Sequence, residues 1–168
     1  MNDGTRRIAM ASPIGTLVLQ GDDEAIVELR LPAPGNAKGV PMANGARSAR
    51  ALGEPLAAAL AQLEEYFARK RRAFDVPLEL AGTPFQRQVW TTLAEIPYGE
   101  TVSYAELAAM VGRPTAFRAV GQANGANPIP IVLPCHRVVA SGGRIGGYGG
   151  GLPVKRKLLT LEGVSGDW

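Results

Sequence analysis

The pattern of apolar residues changes near Gly82, and this change limits the folds that the chain can adopt. Before Gly82, short apolar or alternating runs stand between turn residues, which is typical of β-strands in an antiparallel meander. After Gly82, helix-start signals recur at short intervals. We therefore predict an α+β protein. Residues 1–81 form an N-terminal α/β domain with a small antiparallel sheet, and residues 82–168 form a mostly helical domain with a helix-turn-helix. The predicted strands lie at 8–10, 16–20 and 25–31.

The rest of the N-terminal half predicts a loop, a helix and one more strand. Residues 32–50 are rich in Pro, Gly, Ala and Asn without any period, which indicates a long surface loop. Four large apolar residues then recur at helical spacing and predict a helix over 54–72. Residues 74–80 predict a further strand. The four apolar residues are Leu56, Leu60, Leu63 and Phe67.

Two capping signals open helices in the C-terminal half. Thr83 is followed by a proline and then by Gln86, which is the pattern of a capping box. Ser103 and Glu106 repeat the pattern and predict a helix that ends near Val111. A final helix over 153–161 follows a glycine-rich loop.

A short turn at 112–114 separates the helix after Ser103 from another predicted over 114–124. Two short helices joined in this way have the dimensions of a helix-turn-helix. Apart from Phe117 and Arg118, the second helix consists mostly of small residues. Such a helix serves either tight packing against a neighbouring helix or the close approach of another surface.

One cysteine and one histidine limit the chemistry of the chain. They exclude an internal disulfide and a zinc site built from Cys and His, and we predict no bound metal. The polar N-terminus and the lack of an apolar run of about 20 residues argue against a signal peptide and a membrane span. A free thiol fits a reducing compartment, so we expect a cytoplasmic protein with no membrane partner.

The net charge of +3 comes from the second half of the chain. Residues 1–81 hold 10 basic and 10 acidic side chains, whereas residues 82–168 hold 8 basic and 5 acidic ones. A modestly basic C-terminal half is compatible with a polyanionic partner. It is equally what an ordinary solvated surface shows.

Cys135 is followed directly by His136 and Arg137, and this cluster has no rival in the sequence. A free thiol has a pKa near 8.5 and is only about 3% ionised at pH 7, so a nucleophilic cysteine needs a neighbouring base or cation. Glu162, at the end of the last helix, is a candidate to orient the imidazole. The alternative is that Cys135 is a small buried apolar residue that continues the run at 129–133.

Taken together, these residues resemble the O6-alkylguanine-DNA alkyltransferase family. The resemblance is close over residues 82–163. Before residue 82 the chain is similar to the family mainly in layout. It rests on Pro134-Cys135-His136-Arg137-Val138, with Asn127-Pro128 upstream and Gly147-Tyr148-Gly149-Gly150 downstream. Tyr104, Arg118-Ala119-Val120-Gly121 and Leu161-Glu162-Gly163 also fit.

The resemblance implies a DNA-repair enzyme that transfers a methyl or small alkyl group from O6-alkylguanine to its own Cys135. O4-alkylthymine is a candidate second substrate. Each molecule would act once, without an external cofactor. His136, oriented by Glu162, would take the thiol proton through a water molecule. Asn127 would tie the recognition helix to the segment that carries the cysteine.

The resemblance also implies that a monomer binds double-stranded DNA containing O6-alkylguanine through the minor groove. The lesion must leave the base stack, because a thiolate cannot reach the alkyl group inside a duplex. Arg118 would take the place of the extruded nucleotide, and the small residues Ala116, Ala119 and Gly121 would let the helix approach the groove. The base pocket would be lined by Tyr104, Val138, Tyr148 and Gly149.

The chain departs from some relatives at three points. Gly149 stands where some of them carry a hydroxyl residue, and the N-terminal half lacks zinc ligands. Phe117 is bulkier than their alanine, so it either packs inward or changes how the helix meets DNA. Two other functions stay open, a non-catalytic protein that binds alkyl lesions and a cysteine hydrolase or redox thiol protein. No triad motif and no resolving cysteine support the second of these.

Overall fold

A computed structural model describes residues 4–44, 50–166 and 168 of the chain. The chain divides into two compact units, Met1–Leu80 and Ala81–Trp168. The described residues hold five α-helices, and none of them is long and apolar enough to cross a membrane. Part of the predicted 32–50 loop, residues 45–49, lies outside the described residues.

The first unit begins with the predicted antiparallel meander, which is confirmed. Strands β1 (Arg6–Met10), β2 (Leu17–Gly21) and β3 (Ile26–Arg30) lie side by side in chain order. In β2, Leu17, Val18 and Leu19 are all buried, and only Gln20 of this strand is half-buried. The central strand is therefore covered on both faces.

Helix α1 (Glu54–Phe67) supplies the apolar face predicted for it but ends earlier than the predicted residue 72. Leu56, Leu60 and Leu63 are completely buried. Arg69 adopts a left-handed backbone conformation with φ of 61°, and a helix cannot continue through such a residue. The basic run Arg69-Lys70-Arg71-Arg72, which the predicted helix included, therefore lies beyond its end.

The strand predicted at 74–80 is wrong. This segment makes one isolated bridge, in which the N–H of Ile26 donates to the Pro77 carbonyl and the N–H of Glu79 donates to the Ile26 carbonyl, each at 2.9 Å. Pro77 has no N–H to donate, so a ladder cannot extend through it.

The second unit contains helices α2 (Pro84–Leu93), α3 (Tyr104–Met110), α4 (Phe117–Gly125) and α5 (Leu152–Leu161). The capping box at the start of α2 is confirmed, since the Gln86 N–H donates to the Thr83 hydroxyl at 3.1 Å and the Thr83 N–H donates to the Gln86 side chain at 3.0 Å. The Trp90 indole donates to the Ala123 carbonyl at 2.7 Å, which joins α2 to α4.

Helix α4 begins three residues later than predicted. A turn in which the Ala116 N–H donates to the Arg113 carbonyl at 2.9 Å takes up Pro114 and the residues after it. Proline fixes its own φ and suits such a turn as well as a helix start, so the sequence pattern does not distinguish the two. That α3 and α4 act as a helix-turn-helix stays a prediction.

Two short strands bring the region after Cys135 beside the start of α3. Strand β4 (Val102–Ser103) pairs in parallel with β5 (Val138–Val139). Because Ser103 also caps α3 through the Glu106 N–H at 3.0 Å, the pairing fixes the first turn of that helix next to the cysteine segment.

Candidate active site

Cys135 opens a single 3-10 turn that also contains His136 and Arg137. The turn is closed by the Arg137 N–H, which donates to the Pro134 carbonyl at 3.0 Å. With three residues per turn, consecutive side chains point in directions about 120° apart. The three adjacent side chains therefore face three different surroundings. Residues 129–133 before the turn do not form a regular strand, so Cys135 does not continue a buried strand as the alternative interpretation required.

His136 forms a buried pair with Glu162. The imidazole Nε2 lies 2.6 Å from the Glu162 carboxylate, and both side chains are completely buried. Glu162 directly follows the last residue of α5, so the end of this helix delivers the carboxylate. Among the described residues, the other imidazole nitrogen, Nδ1, has no hydrogen-bond partner.

Arg137 pairs with the same carboxylate from the other side. Its Nε donates to Glu162 at 2.7 Å, and its Nη1 donates to the Ile96 carbonyl at 2.6 Å. The guanidinium also lies over the Tyr98 ring, 5.6 Å from the ring centre. Arg137 is therefore the counter-ion of Glu162.

The two partners determine which groups carry charge. Burial alone would raise the pKa of Glu162, but the hydrogen bonds of His136 and Arg137 and the positive charge of Arg137 outweigh it and bring that pKa to about 2. Burial lowers the pKa of His136, and Glu162 offsets only part of this effect. We therefore describe the imidazole as neutral at pH 7, with Nε2–H donating to the carboxylate and Nδ1 left as an acceptor.

This arrangement predicts how the stability of the protein depends on acid. The pKa of Glu162 is about 2 in the folded state and 4.5 for an ordinary glutamate, so the carboxylate stabilises the fold above pH 4.5 and this contribution is lost as the pH falls through 2. We expect Glu162→Gln to lose on the order of 3 kcal/mol of unfolding free energy at neutral pH, because Arg137 loses its partner. We also expect a flatter stability curve in acid, measured by urea denaturation at several pH values.

The exposed Glu106 provides the matched control for that experiment. Glu106→Gln should leave both the neutral-pH stability and its acid dependence close to those of the parent protein. If Glu162→Gln showed the same acid dependence as the parent, the carboxylate would not be the group that titrates.

The surroundings of Cys135 hold the resting thiol in its neutral form. The residue is only 6% exposed, and burial raises the pKa of the thiol. Hydrogen bonds from the Asn127 and Tyr148 side chains and the charge of Lys155 lower the pKa in part. The loss of solvent is therefore a larger effect on this thiol than any neighbouring charge.

Asn127 braces the segment between α4 and Cys135. Its amide donates to the Leu133 carbonyl at 2.7 Å, and its carbonyl accepts from the Ile129 N–H at 3.0 Å. Between these two contacts lies Ile131, which has a positive φ of 73°. A β-branched residue is strained in this conformation, so the local structure must hold it there. Asn127 holds both ends of that loop.

Tyr104 and the glycine-rich loop meet near the cysteine. Gly146 has a φ of 74°, and a Cβ built on it would lie 3.3 Å from the Tyr104 hydroxyl oxygen. Burial raises the pKa of Tyr104, and the nearby Cys135 raises it further. Gly149 is exposed and offers open space where a side chain would stand. The loop thus brings Tyr148 to the thiol and keeps Tyr104 close to it.

The sequence analysis missed Lys155, which is completely buried in α5. Its ammonium donates to the Val138 carbonyl at 2.7 Å and to the Gly147 carbonyl at 3.0 Å. Burial lowers the pKa of Lys155 to about 8. A signal was present, because Lys155 shares a helix face with the buried Leu158, Leu159 and Glu162 at spacings of three, four and seven residues.

The predicted DNA-facing residues lie around α4. Arg118 and Ala119 are exposed, whereas Ala116 and Gly121 are half-buried. Phe117 is 49% exposed, so it does not pack inward. A shallow groove of about 480 Å³ runs along this face. It is lined by Tyr104, Phe117, Arg118, Gly121 and Gln122.

Comparison with known families matches both units of the chain. The model described as the 6-O-methylguanine DNA methyltransferase DNA binding domain matches residues 84–164, and that of the ribonuclease-like domain matches residues 6–80. The chain is 49% identical over 152 residues to the methylated-DNA–protein-cysteine methyltransferase of Mycolicibacterium paratuberculosis, covering 90% of this chain and 88% of the relative. The Methanosarcina acetivorans protein of the same name is 45% identical over 152 residues, covering 90% and 94%.

Solved structures are similar over nearly the whole chain. Mycobacterium tuberculosis OGT in complex with DNA has a TM-score of 0.80 and 43% identity, covering 94% of this chain and 92% of that one. The structure of Mycobacterium tuberculosis O6-methylguanine methyltransferase has a TM-score of 0.78 with the same identity and coverage. Both the N-terminal sheet and the C-terminal helices therefore have counterparts in experimental structures.

Proposed function

The chain belongs to the 6-O-methylguanine DNA methyltransferase family, and on this premise we propose that it repairs DNA by taking the alkyl group from O6-alkylguanine onto the sulfur of Cys135. The observation that carries the proposal is the buried hydrogen bond of 2.6 Å between His136 and Glu162, formed next to the only cysteine. It gives that thiol a neighbouring base with a fixed orientation.

The transfer is a single in-line displacement. The thiolate electron pair forms a bond to the alkyl carbon while the bond between that carbon and O6 breaks, and its electron pair stays on the guanine. One proton leaves the thiol and one is taken up by the guanine, so the reaction is balanced without a cofactor. A thioether does not revert to a thiol unaided, and each molecule therefore acts once.

His136 is the proposed acceptor of the thiol proton. Because its Nε2 is occupied by Glu162, Nδ1 is the basic nitrogen, and a water molecule would carry the proton to it from Cys135. The carboxylate stabilises the imidazolium that forms. This route fits a resting thiol whose pKa is raised, since the sulfur becomes ionised only when the base takes the proton.

The proposed base pocket lies between Tyr104 and the glycine-rich loop. The Tyr148 side chain lowers the pKa of Cys135, and Cys135 adds to the effect of burial in raising the pKa of Tyr104, so both rings lie near the reacting sulfur. The backbone near Val138 and Gly149 would bind the edges of the guanine. Asn127 would keep the cysteine segment in register with α4 through its two backbone contacts.

The proposed partner is double-stranded DNA containing O6-alkylguanine, bound by a monomer through the minor groove. The exposed Arg118 would fill the gap left by the extruded nucleotide, which stacking and charge favour. Ala116, Ala119 and Gly121 would allow α4 to lie close to the groove floor. Because the reaction needs Cys135 as a free thiol, the reducing cytoplasm is part of the proposal. O4-alkylthymine stays a candidate second substrate.

The proposal is tested by incubating the protein with a duplex that contains O6-methylguanine and measuring its intact mass. We expect a gain of one methylene mass, which peptide mapping places on Cys135. A protein that binds the duplex and keeps its mass would be a non-catalytic lesion-binding protein. Release of a cleaved product with an unmodified cysteine would instead indicate a hydrolase.

The exposed aromatic ring at position 117 leads to a prediction about DNA binding. If α4 lies in the minor groove, Phe117 is buried against the DNA, and apolar burial of this kind is worth about 1–2 kcal/mol. We expect Phe117→Ala to weaken binding to the duplex roughly tenfold, measured by fluorescence anisotropy. The reaction with free O6-benzylguanine should not change.

Met42 is another large exposed apolar residue, at 51%, and provides the matched control. Met42→Ala should bind the duplex like the parent protein. Unaltered duplex binding by Phe117→Ala would place the ring outside the interface.

A further inference from the structure

Lys155 is a buried cation that the proposed proton route does not use. It is 0% exposed, and among the described residues no carboxylate forms an ion pair with it. An ammonium group that loses its water and gains only two carbonyl oxygens remains costly to bury. Such a residue is retained where its charge or its contacts serve the site around it.

Both contacts of Lys155 are to segments that border the thiol. Val138, whose carbonyl accepts at 2.7 Å, follows directly on the turn that carries Cys135. Gly147, whose carbonyl accepts at 3.0 Å, precedes Tyr148, whose side chain lowers the pKa of Cys135. One ammonium group therefore ties the glycine-rich loop to the strand after the cysteine.

We propose that Lys155 is a positioning residue for the alkyl transfer, which holds the glycine-rich loop against Val138 and stabilises the Cys135 thiolate by its positive charge. The inference rests on the proposed function, because it gives Lys155 a part in that reaction. Arg137, the other buried cation of the site, is neutralised by Glu162. Among the described residues, Lys155 is therefore the buried cation that remains to favour a negative sulfur.

The electrostatics of the site support this role. The charge of Lys155 lowers the pKa of Cys135, and Cys135 raises that of Lys155 in return, although burial outweighs both effects. With a pKa of about 8, Lys155 is still mostly charged at neutral pH. The other titratable groups around the sulfur are His136 in the same turn, Tyr104 in α3 and Tyr148 in the loop.

The test measures the ionisation of Cys135 directly. Because the chain has one cysteine, labelling cysteine Cβ with carbon-13 produces one signal, whose shift reports the formation of the thiolate from about pH 6 to about pH 11. We expect Lys155→Met to raise the apparent pKa of Cys135 by about one unit or more. The rate with free O6-benzylguanine should fall about tenfold at neutral pH and recover as the pH rises.

Two further variants separate charge from structure. Lys155→Arg keeps the cation and should titrate closer to the parent protein than Lys155→Met does. Lys157→Met removes an exposed charge from the same helix and should leave the titration unchanged. If Lys155→Met folded and Cys135 titrated as in the parent protein, the proposal would be overturned.

If Lys155→Met does not fold, the proposal can be tested on the parent protein instead. The carbon-13 signal of Lys155 Cε should then shift as Cys135 ionises, and this step should vanish once the thiol is chemically blocked as a methyl disulfide. A Lys155 titration that is the same before and after blocking would overturn the proposal. These titrations need no DNA, so they remain valid even if the protein transfers no alkyl group. A lack of alkyl transfer would contradict the proposed function and not the effect of Lys155 on Cys135.

Discussion

Cys135→Ser should abolish alkyl transfer and leave binding to the alkylated duplex intact. A serine hydroxyl is far less acidic than a thiol, and its oxygen is a much weaker nucleophile towards an alkyl carbon than a thiolate sulfur. We expect the transfer rate to fall by more than about a thousandfold, measured by the loss of labelled methyl from the duplex. Duplex affinity, measured by fluorescence anisotropy, should stay within about twofold because position 135 is buried and does not face the groove along α4.

Two controls make this result specific. The buried hydroxyl will cost about 1 kcal/mol of stability, so the variant must be shown to remain folded at the assay temperature. Alkylation of the parent protein at any residue other than Cys135, found by peptide mapping, would contradict the assignment. Transfer by Cys135→Ser at the rate of the parent protein would remove the cysteine from the reaction altogether.

Arg118→Ala should slow repair in a duplex about a hundredfold and leave the reaction with free O6-benzylguanine within about twofold. Extruding a nucleotide costs a few kcal/mol, and a guanidinium that occupies the gap by stacking offsets part of that cost. Removing the guanidinium should therefore slow the reaction only with a substrate in which the base must leave a stack. The measurement is a single-turnover rate with each substrate.

The same lesion in a single-stranded oligonucleotide sharpens the interpretation. It keeps the phosphate charges but has little stack to open, so the loss on removing Arg118 should be much smaller than in the duplex. Arg156→Ala removes one exposed positive charge from α5 and controls for net charge. Equal losses on duplex, single strand and free base would mean that Arg118 acts on something other than the extruded nucleotide.

Several features of the fold could be predicted because they depend on neighbours within a few residues. The strands of the meander are short apolar or alternating runs, and turn residues separate them. The capping box between Thr83 and Gln86 closes over three residues. The errors came where local patterns allow two structures. The basic run at 69–72 was predicted to end α1, but Arg69 has a left-handed conformation and the helix ends before it. Pro114 was predicted to begin a helix, but it lies in a turn, which proline suits equally well.

The candidate site could be located from the sequence but not assembled. Cys135 and His136 are each unique, and that fact alone singles out the reactive segment. The partners of the charged residues beside Cys135 could not be predicted from the sequence. Arg137 stands two residues after Cys135 in the sequence, but it pairs with Glu162, which lies 25 residues further along the chain.

The sequence by itself determined which reactive groups the chain contains and their order. They are one thiol, one imidazole, a glutamate at the end of the last helix, and a helix made mostly of small residues. Only the tertiary structure decided that burial, more than any neighbouring charge, sets the protonation of Cys135. It alone also brought Lys155 to the Val138 and Gly147 carbonyls and left Phe117 exposed. The physical reason is that desolvation sums over every element packed around a group, whereas a sequence pattern reports only the residues on either side of it.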